Sequence, residues 1–210
     1  MRRPWVASLA LLLGCGPGRR APAALGELRC DDLSPPALTA ASLPELLQMA
    51  RSLHPELADA RIELVPSRSE TVFFRADVKP GTLFGRRSRR IYRVHHSVAL
   101  TDDPPPPQAV LAILDHELEH VRHYTTMASL PLVGFGLDYA VGGTATYERF
   151  TDEHPLRAGC GEGLAQYRAW LYERISPRVE AKKRRTYVTP DEARAWTDDG
   201  TAPPDAPPTP

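Results

Sequence analysis

Three kinds of scarcity frame this 210-residue chain. It has only three cysteines, no net charge (26 basic against 26 acidic residues) and few aromatics, at 7%. So few cysteines, with no Cys-x-x-Cys pair among them, exclude a cysteine-built zinc ribbon or a disulfide-dense scaffold. The balanced charge removes the basic excess on which nucleic-acid binding relies, so no nucleic-acid partner is expected. No apolar run reaches the roughly 20 residues that span a bilayer. What is present is a hydrophobic fraction of 42%, enough for a packed core, and 22 prolines gathered at the two ends and at Pro104 to Pro107.

The N-terminus reads as an address. Arg2 and Arg3 precede the short apolar run Val6 to Leu13, and Leu12-Leu13-Gly14-Cys15 resembles a bacterial lipobox. That resemblance implies a signal peptide over 1–14, lipidation of Cys15, and a Gly/Pro/Ala/Arg-rich tether over 15–26. The membrane is then reached only through the lipid, on the periplasmic or surface side of the cell envelope. Gly16 offers no aspartate-type inner-membrane retention signal, which points to the outer membrane. With Cys15 acylated, Cys30 and Cys160 remain, as a disulfide or as two thiols.

Residues 27–197 read as one domain and 198–210 as a disordered, Pro-rich tail. Ser42-Leu43-Pro44-Glu45 has the form of a capping box before the apolar positions Leu46, Leu47, Ala50 and Leu53. Residues 61–65, 71–78 and 90–100 carry strand character, and a small, mostly antiparallel sheet is expected. A long helix over about 108–127 follows, with Val110, Leu111, Leu114, Leu118 and Val121 at three- and four-residue steps, one side buried. The apolar, glycine-containing stretch 129–143 reads as a loop or broken helix. Helices are expected over about 146–158 and 162–175, and a short one from Thr189. The fold class is α+β.

The chemistry concentrates at His116-Glu117-Leu118-Glu119-His120. Residues four apart share a helix face, so His116 and His120 present two imidazoles to one point. Such a pair suits Zn²⁺ with an open coordination position, and Glu117 can take a proton from a water activated there. A third histidine at metzincin spacing is missing: His123 and Thr126 occupy the required positions. The remaining ligand is therefore a later carboxylate, Glu148 or Glu162.

Tyr147-Glu148-Arg149-Phe150-Thr151-Asp152 resembles the Glu-x-x-x-Asp helix of gluzincin metallopeptidases such as the CAAX prenyl proteases. The resemblance implies a zincin-like fold with a C-terminal helical subdomain, Glu148 as the third zinc ligand, and Asp152 supporting a ligand histidine from behind. The stretch 116–171 also resembles bacterial lipoproteins that carry a Tyr-Glu-Arg-x-Thr-Asp element. The chain lacks the transmembrane helices of the prenyl proteases. Gly161-Glu162-Gly163-Leu164-Ala165-Gln166-Tyr167 resembles the ligand element of thermolysin-like gluzincins and makes Glu162 the alternative third ligand.

Two functional expectations follow. One is a lipid-anchored zinc metallopeptidase that hydrolyses a peptide or protein substrate, with Glu117 as general base. The other is a non-catalytic envelope lipoprotein whose metal is a structural clamp completed by His123 or Asp152. His95 or His96 could line the cleft, and Tyr124, Tyr147 or Tyr167 could donate to an oxyanion. His154 and the basic runs 86–90 and 182–185 read as solvated surface.

Overall fold

The computed structural model describes residues 28–69, 71–140 and 145–196, with side chains of 138–140 left aside. The expected signal peptide, lipidation site at Cys15, tether and tail from 198 lie outside the described residues. The architecture is α+β: a small three-stranded sheet and a set of helices. No helix among the described residues is long and apolar enough to cross a membrane.

Helix α1 (Leu43–Ser52) buries Leu43, Leu46, Leu47 and Ala50. The expected capping box does not form. Pro44 puts a residue without an N–H in the first turn, and Ser42 is drawn into the preceding turn, where its Oγ accepts from Thr39 N at 2.8 Å and donates to Ala37 O at 2.7 Å.

Strands β1 (Arg61–Ser67), β2 (Phe74–Val78) and β3 (Ile91–Ser97) form the sheet in the order β1-β3-β2. The sheet is mixed, which corrects the mostly antiparallel expectation. β2 and β3 pair antiparallel, whereas β1 and β3 run parallel from Arg61↔Ile91 to Ser67↔Ser97. The cause is the return from β2: Lys79 N donates to Ile91 O at 2.8 Å, and β3 is laid into the gap between the two earlier strands. β2 is left as an edge.

Helix α2 (Pro107–Thr126) is the axis of the molecule. Pro107 at its first position needs no hydrogen-bond partner for an N–H it does not have. From Ala109 to Val121 every residue is buried, on all sides rather than one. That environment encloses Asp115, His116, Glu117, Glu119 and His120, so each needs a specific polar partner. At the C-terminal end, Arg90 enters the core at 2% exposure and donates to Met127 O (2.7 Å) and Ser129 Oγ (2.9 Å), with Tyr124 O at 3.4 Å. Its guanidinium answers carbonyls at the helix end and the negative end of the macrodipole. Arg90 therefore departs from the solvated role expected of its basic run.

The stretch after α2 is helical: α3 (Ser129–Ala140) is followed by α4 (Ala145–Arg157), α5 (Gly161–Tyr172), α6 (Pro177–Thr186) and α7 (Pro190–Arg194). α6 is an element the sequence pattern does not signal, because it has no fully buried residue and no apolar stripe. α7 starts on a capping box between Thr189 and Glu192. Gly163 lets α5 lie against α2, since a Cβ there would stand 2.5 Å from Gln108 O. Leu46 of α1, Val94 of β3, Leu114 of α2 and Leu164 of α5 belong to one hydrophobic cluster, so the C-terminal helices share the core of the sheet half.

Cys30 and Cys160 are joined as a disulfide across 130 residues of sequence, with Cα atoms 5.1 Å apart. Gly159, at φ 82°, ends α4 in the left-handed region and aims Cys160 at its partner.

Candidate metal centre

One cleft of about 550 Å³ is bounded by β2, α2, α3 and the C-terminal helices. Phe73 to Val78 form one wall, and Leu132, Val133, Phe135 and Gly136 of α3 form another. α3 is thus a wall of the cleft with an exposed outer side, where Leu130 and Leu137 face solvent. His116, Glu117, His120 and Glu148 lie along the same cleft.

The helical spacing of α2 brings His116 Nε2 and His120 Nε2 within 3.2 Å of each other. α4 crosses this face and places Glu148 Oε2 3.3 Å from each of those nitrogens. The three donors form a nearly equilateral triangle. A tetrahedral ion with ligands at about 2.0 Å requires donor separations of about 3.3 Å, so the triangle fits such an ion without rearrangement. Among the described residues, His116, His120 and Glu148 are one of two groups whose ligand atoms converge closely enough to hold a metal, and the one that lies in the cleft.

The nitrogens turned away from the triangle face polar groups. His116 Nδ1 lies 2.8 Å from Asp152 Oδ1. Arg168 donates to Asp152 Oδ1 at 2.9 Å, and Val188 N donates to Oδ2 at 2.9 Å. His120 Nδ1 is 3.1 Å from the Tyr147 hydroxyl, which is itself 3.0 Å from His123 Nδ1. If each ligand histidine keeps its proton on Nδ1, both Nε2 atoms face the triangle as lone pairs.

The electrostatics favour positive charge at the centre. Burial alone would raise the Glu148 carboxyl, but hydrogen bonds and charge from His116 and His120 hold it well below the ordinary carboxylate range. Burial would lower His116, yet Asp152, then Glu148 and Glu117, raise it to about 10 in the metal-free protein. Asp152, pushed up by burial, is held down by Arg168 and His116. An ionised carboxylate between two imidazoles takes up a cation, either as a proton or as a metal ion.

Glu117 projects to the cleft beside the triangle, and its Oε2 accepts from Ala76 N of β2 at 2.6 Å. That N–H belongs to the open edge of the sheet, so the carboxylate is held where an extended chain would dock.

The other sequence candidates fall elsewhere. Glu162 is outside the centre: its carboxylate is 60% exposed and bonds Gln166 Nε2 and Arg194 Nε. His123 bonds Tyr147 and does not join the triangle. Neither His95 nor His96 lines the cleft, because β3 is the central strand and β2 the edge; His95 pairs with Asp77 at 2.9 Å. His154 is half-buried rather than freely solvated: its side chain is 26% exposed, and its Nδ1 lies 3.0 Å from Asp115 Oδ2. Tyr124 and Tyr167 line the cleft, whereas Tyr147 supports His120.

Three functional candidates escape the motif reading. Lys183 belongs to a basic run on α6 but turns into the cleft, and Tyr187 follows it there. The Tyr187 ring lies 4.2 Å beneath the Arg168 guanidinium and 6.0 Å from His116. Arg168 itself, at 2% exposure, reads in the sequence as an ordinary charge on an amphipathic helix. Its lone signal is its place among the buried apolar positions Leu164, Ala165 and Leu171 of α5.

No known family, curated protein or solved structure matched this chain in the comparisons made.

Proposed function

We propose that the chain is a zinc-dependent metallopeptidase of the glutamate-ligand zincin type, anchored to the bacterial envelope by lipid at Cys15. The observation that carries this reading is the triangle of His116, His120 and Glu148 at 3.2–3.3 Å, set in a cleft with Glu117 at its side. Two imidazoles and one carboxylate are the donor set of a catalytic zinc site, and His116, His120 and Glu148, which would hold the ion, line the cleft. Zinc bound there would polarise a peptide carbonyl and acidify water.

The protein's own groups supply the rest. Glu117 accepts the proton of the attacking water and passes it to the leaving amine. The edge of β2 offers backbone groups to an extended substrate, and Phe73, Phe74, Leu132 and Phe135 offer it an apolar bed. Burial first, then the negative charges of Glu148 and Glu117, raise the Tyr187 hydroxyl well above its ordinary value. It therefore stays protonated and available as a donor to the developing oxyanion. Asp152 and Tyr147 hold the ligand histidines from behind.

The structural-clamp alternative requires a fourth protein donor. Asp152 is engaged with His116, Arg168 and Val188, and His123 with Tyr147, which favours the open site. Glu117→Gln should keep its zinc while losing hydrolysis of a broad peptide library by at least about 100-fold. Unchanged hydrolysis in that variant rules out the mechanism, and absence of hydrolysis in the zinc-loaded wild type favours the clamp.

A further inference from the structure

A second convergence of imidazoles and carboxylates lies outside the cleft. Asp115 and Glu119 each precede a cleft histidine by one residue, so they point about 100° further round α2. There they meet His54, from the turn after α1, and His154, from α4. His54 is completely buried, and its Nε2 lies 2.7 Å from Asp115 Oδ1. His154 Nδ1 lies 3.0 Å from Asp115 Oδ2. The Asp115 carboxylate thus faces one nitrogen of each ring, with the Asp115 carbonyl also 3.3 Å from His54 Nε2, which leaves the other nitrogen of each as a potential ligand.

The nitrogen left over on His54 is Nδ1. It is buried without a hydrogen-bond partner, and its nearest charged neighbour is Glu56 Oε1 at 3.6 Å. One nitrogen of His54, one of His154 and a carboxylate oxygen of Glu119 all lie within 4.8 Å of one another. Asp115, Glu119 and Glu56 bring three carboxylates to this cluster, against which Arg122 supplies a guanidinium, bonded to Glu119 and 3.7 Å from Glu56. An imidazole nitrogen that is buried and unmatched, among more acids than cations, is the environment a divalent ion stabilises.

We propose that His54, His154 and Glu119 form a second metal site, for Zn²⁺ or a similar borderline divalent ion, with Asp115 orienting both imidazoles and Glu56 at its rim. This site is independent of the cleft reading. It joins the turn after α1, the active-site helix and α4, so its ion ties together the elements that carry the first centre. The route in is from the surface, where the His154 side chain is 26% exposed and that of Glu56 45%. The two rings now stack with centroids 4.0 Å apart at 16°. Binding one ion requires them to swing apart about their Asp115 contacts, so that the ion enters both ring planes.

The test is zinc stoichiometry on the untagged full chain, stripped with chelator and reloaded with Zn²⁺ alone. Wild type should bind two equivalents. His154→Ala should bind one, as should Glu148→Ala, and the double variant none. Zinc should still raise the Tm of Glu148→Ala and lose that effect in the double variant. A single wild-type equivalent that survives in His154→Ala overturns the second site, as does a His154→Ala protein that holds as much zinc as wild type. A single equivalent kept in Glu148→Ala but lost in His154→Ala supports the second site and removes the first. Should His154→Ala fail to fold, Glu119→Gln, which preserves shape and an acceptor for Arg122, gives the same reading.

Discussion

Asp152 Oδ1 serves two partners at once: His116 Nδ1 at 2.8 Å and Arg168 Nη2 at 2.9 Å. All three side chains are essentially removed from water. Arg168 therefore bears on the proposed metal centre through the carboxylate that orients His116, without touching the triangle itself. Arg168→Met should leave Asp152 as an under-compensated buried charge, at a cost of about 3–5 kcal/mol in urea unfolding. It should also weaken zinc affinity about 10–100-fold in chelator competition. A loss of stability with unchanged affinity would confine Arg168 to packing.

The disulfide offers a second test. In the chain-entropy view, a link across 130 residues restricts the unfolded ensemble strongly. Replacing Cys30 and Cys160 together by alanine should cost about 2–5 kcal/mol in urea unfolding under oxidising conditions. The loss should match that produced by reductant on the wild type. Stability that responds to neither change would mean the bridge does not form in solution.

Lys183 gives a prediction with a defined sign. Burial first, and then repulsion from Arg168, push its ammonium down to about 8 from 10.5. Below pH 8 both folded and unfolded chains carry the proton, and the folded state bears the whole cost of burying the charge. Between about pH 8 and 10.5 the unfolded chain binds more protons, so this contribution to stability rises with pH. Lys183→Met should thus be more stable than wild type by about 1–3 kcal/mol at pH 7. That margin should shrink by pH 10.5; a margin that stays constant would place the ammonium in solvent.

Legibility in the sequence followed the range of the interaction. His116 and His120 could be paired because a helix turn is local. Glu148 and Asp152 could be proposed from the resemblance of 147–152 to a gluzincin Glu-x-x-x-Asp helix, but only the crossing of α4 over α2 separates Glu148 from Glu162. The parallel pairing of β1 with β3 depends on where a returning strand lands, which local alternation does not encode. Arg90, Arg168 and Lys183 sit in stretches whose charge suggests solvent, yet each is drawn inward by a carbonyl cluster, a buried carboxylate or the cleft. His54 and His154 reach Asp115 from 61 and 39 residues away, so their association has no signature in the spacing.

The bridge between Cys30 and Cys160 has a topological consequence as well. His54, the whole of α2, Glu148, Asp152 and His154 all fall on the covalent ring that it closes. A single cut in the exposed turn at 79–89, or in any other segment of that ring, opens a loop without releasing a fragment. A nick of that kind would keep both halves of each proposed metal centre on one connected molecule.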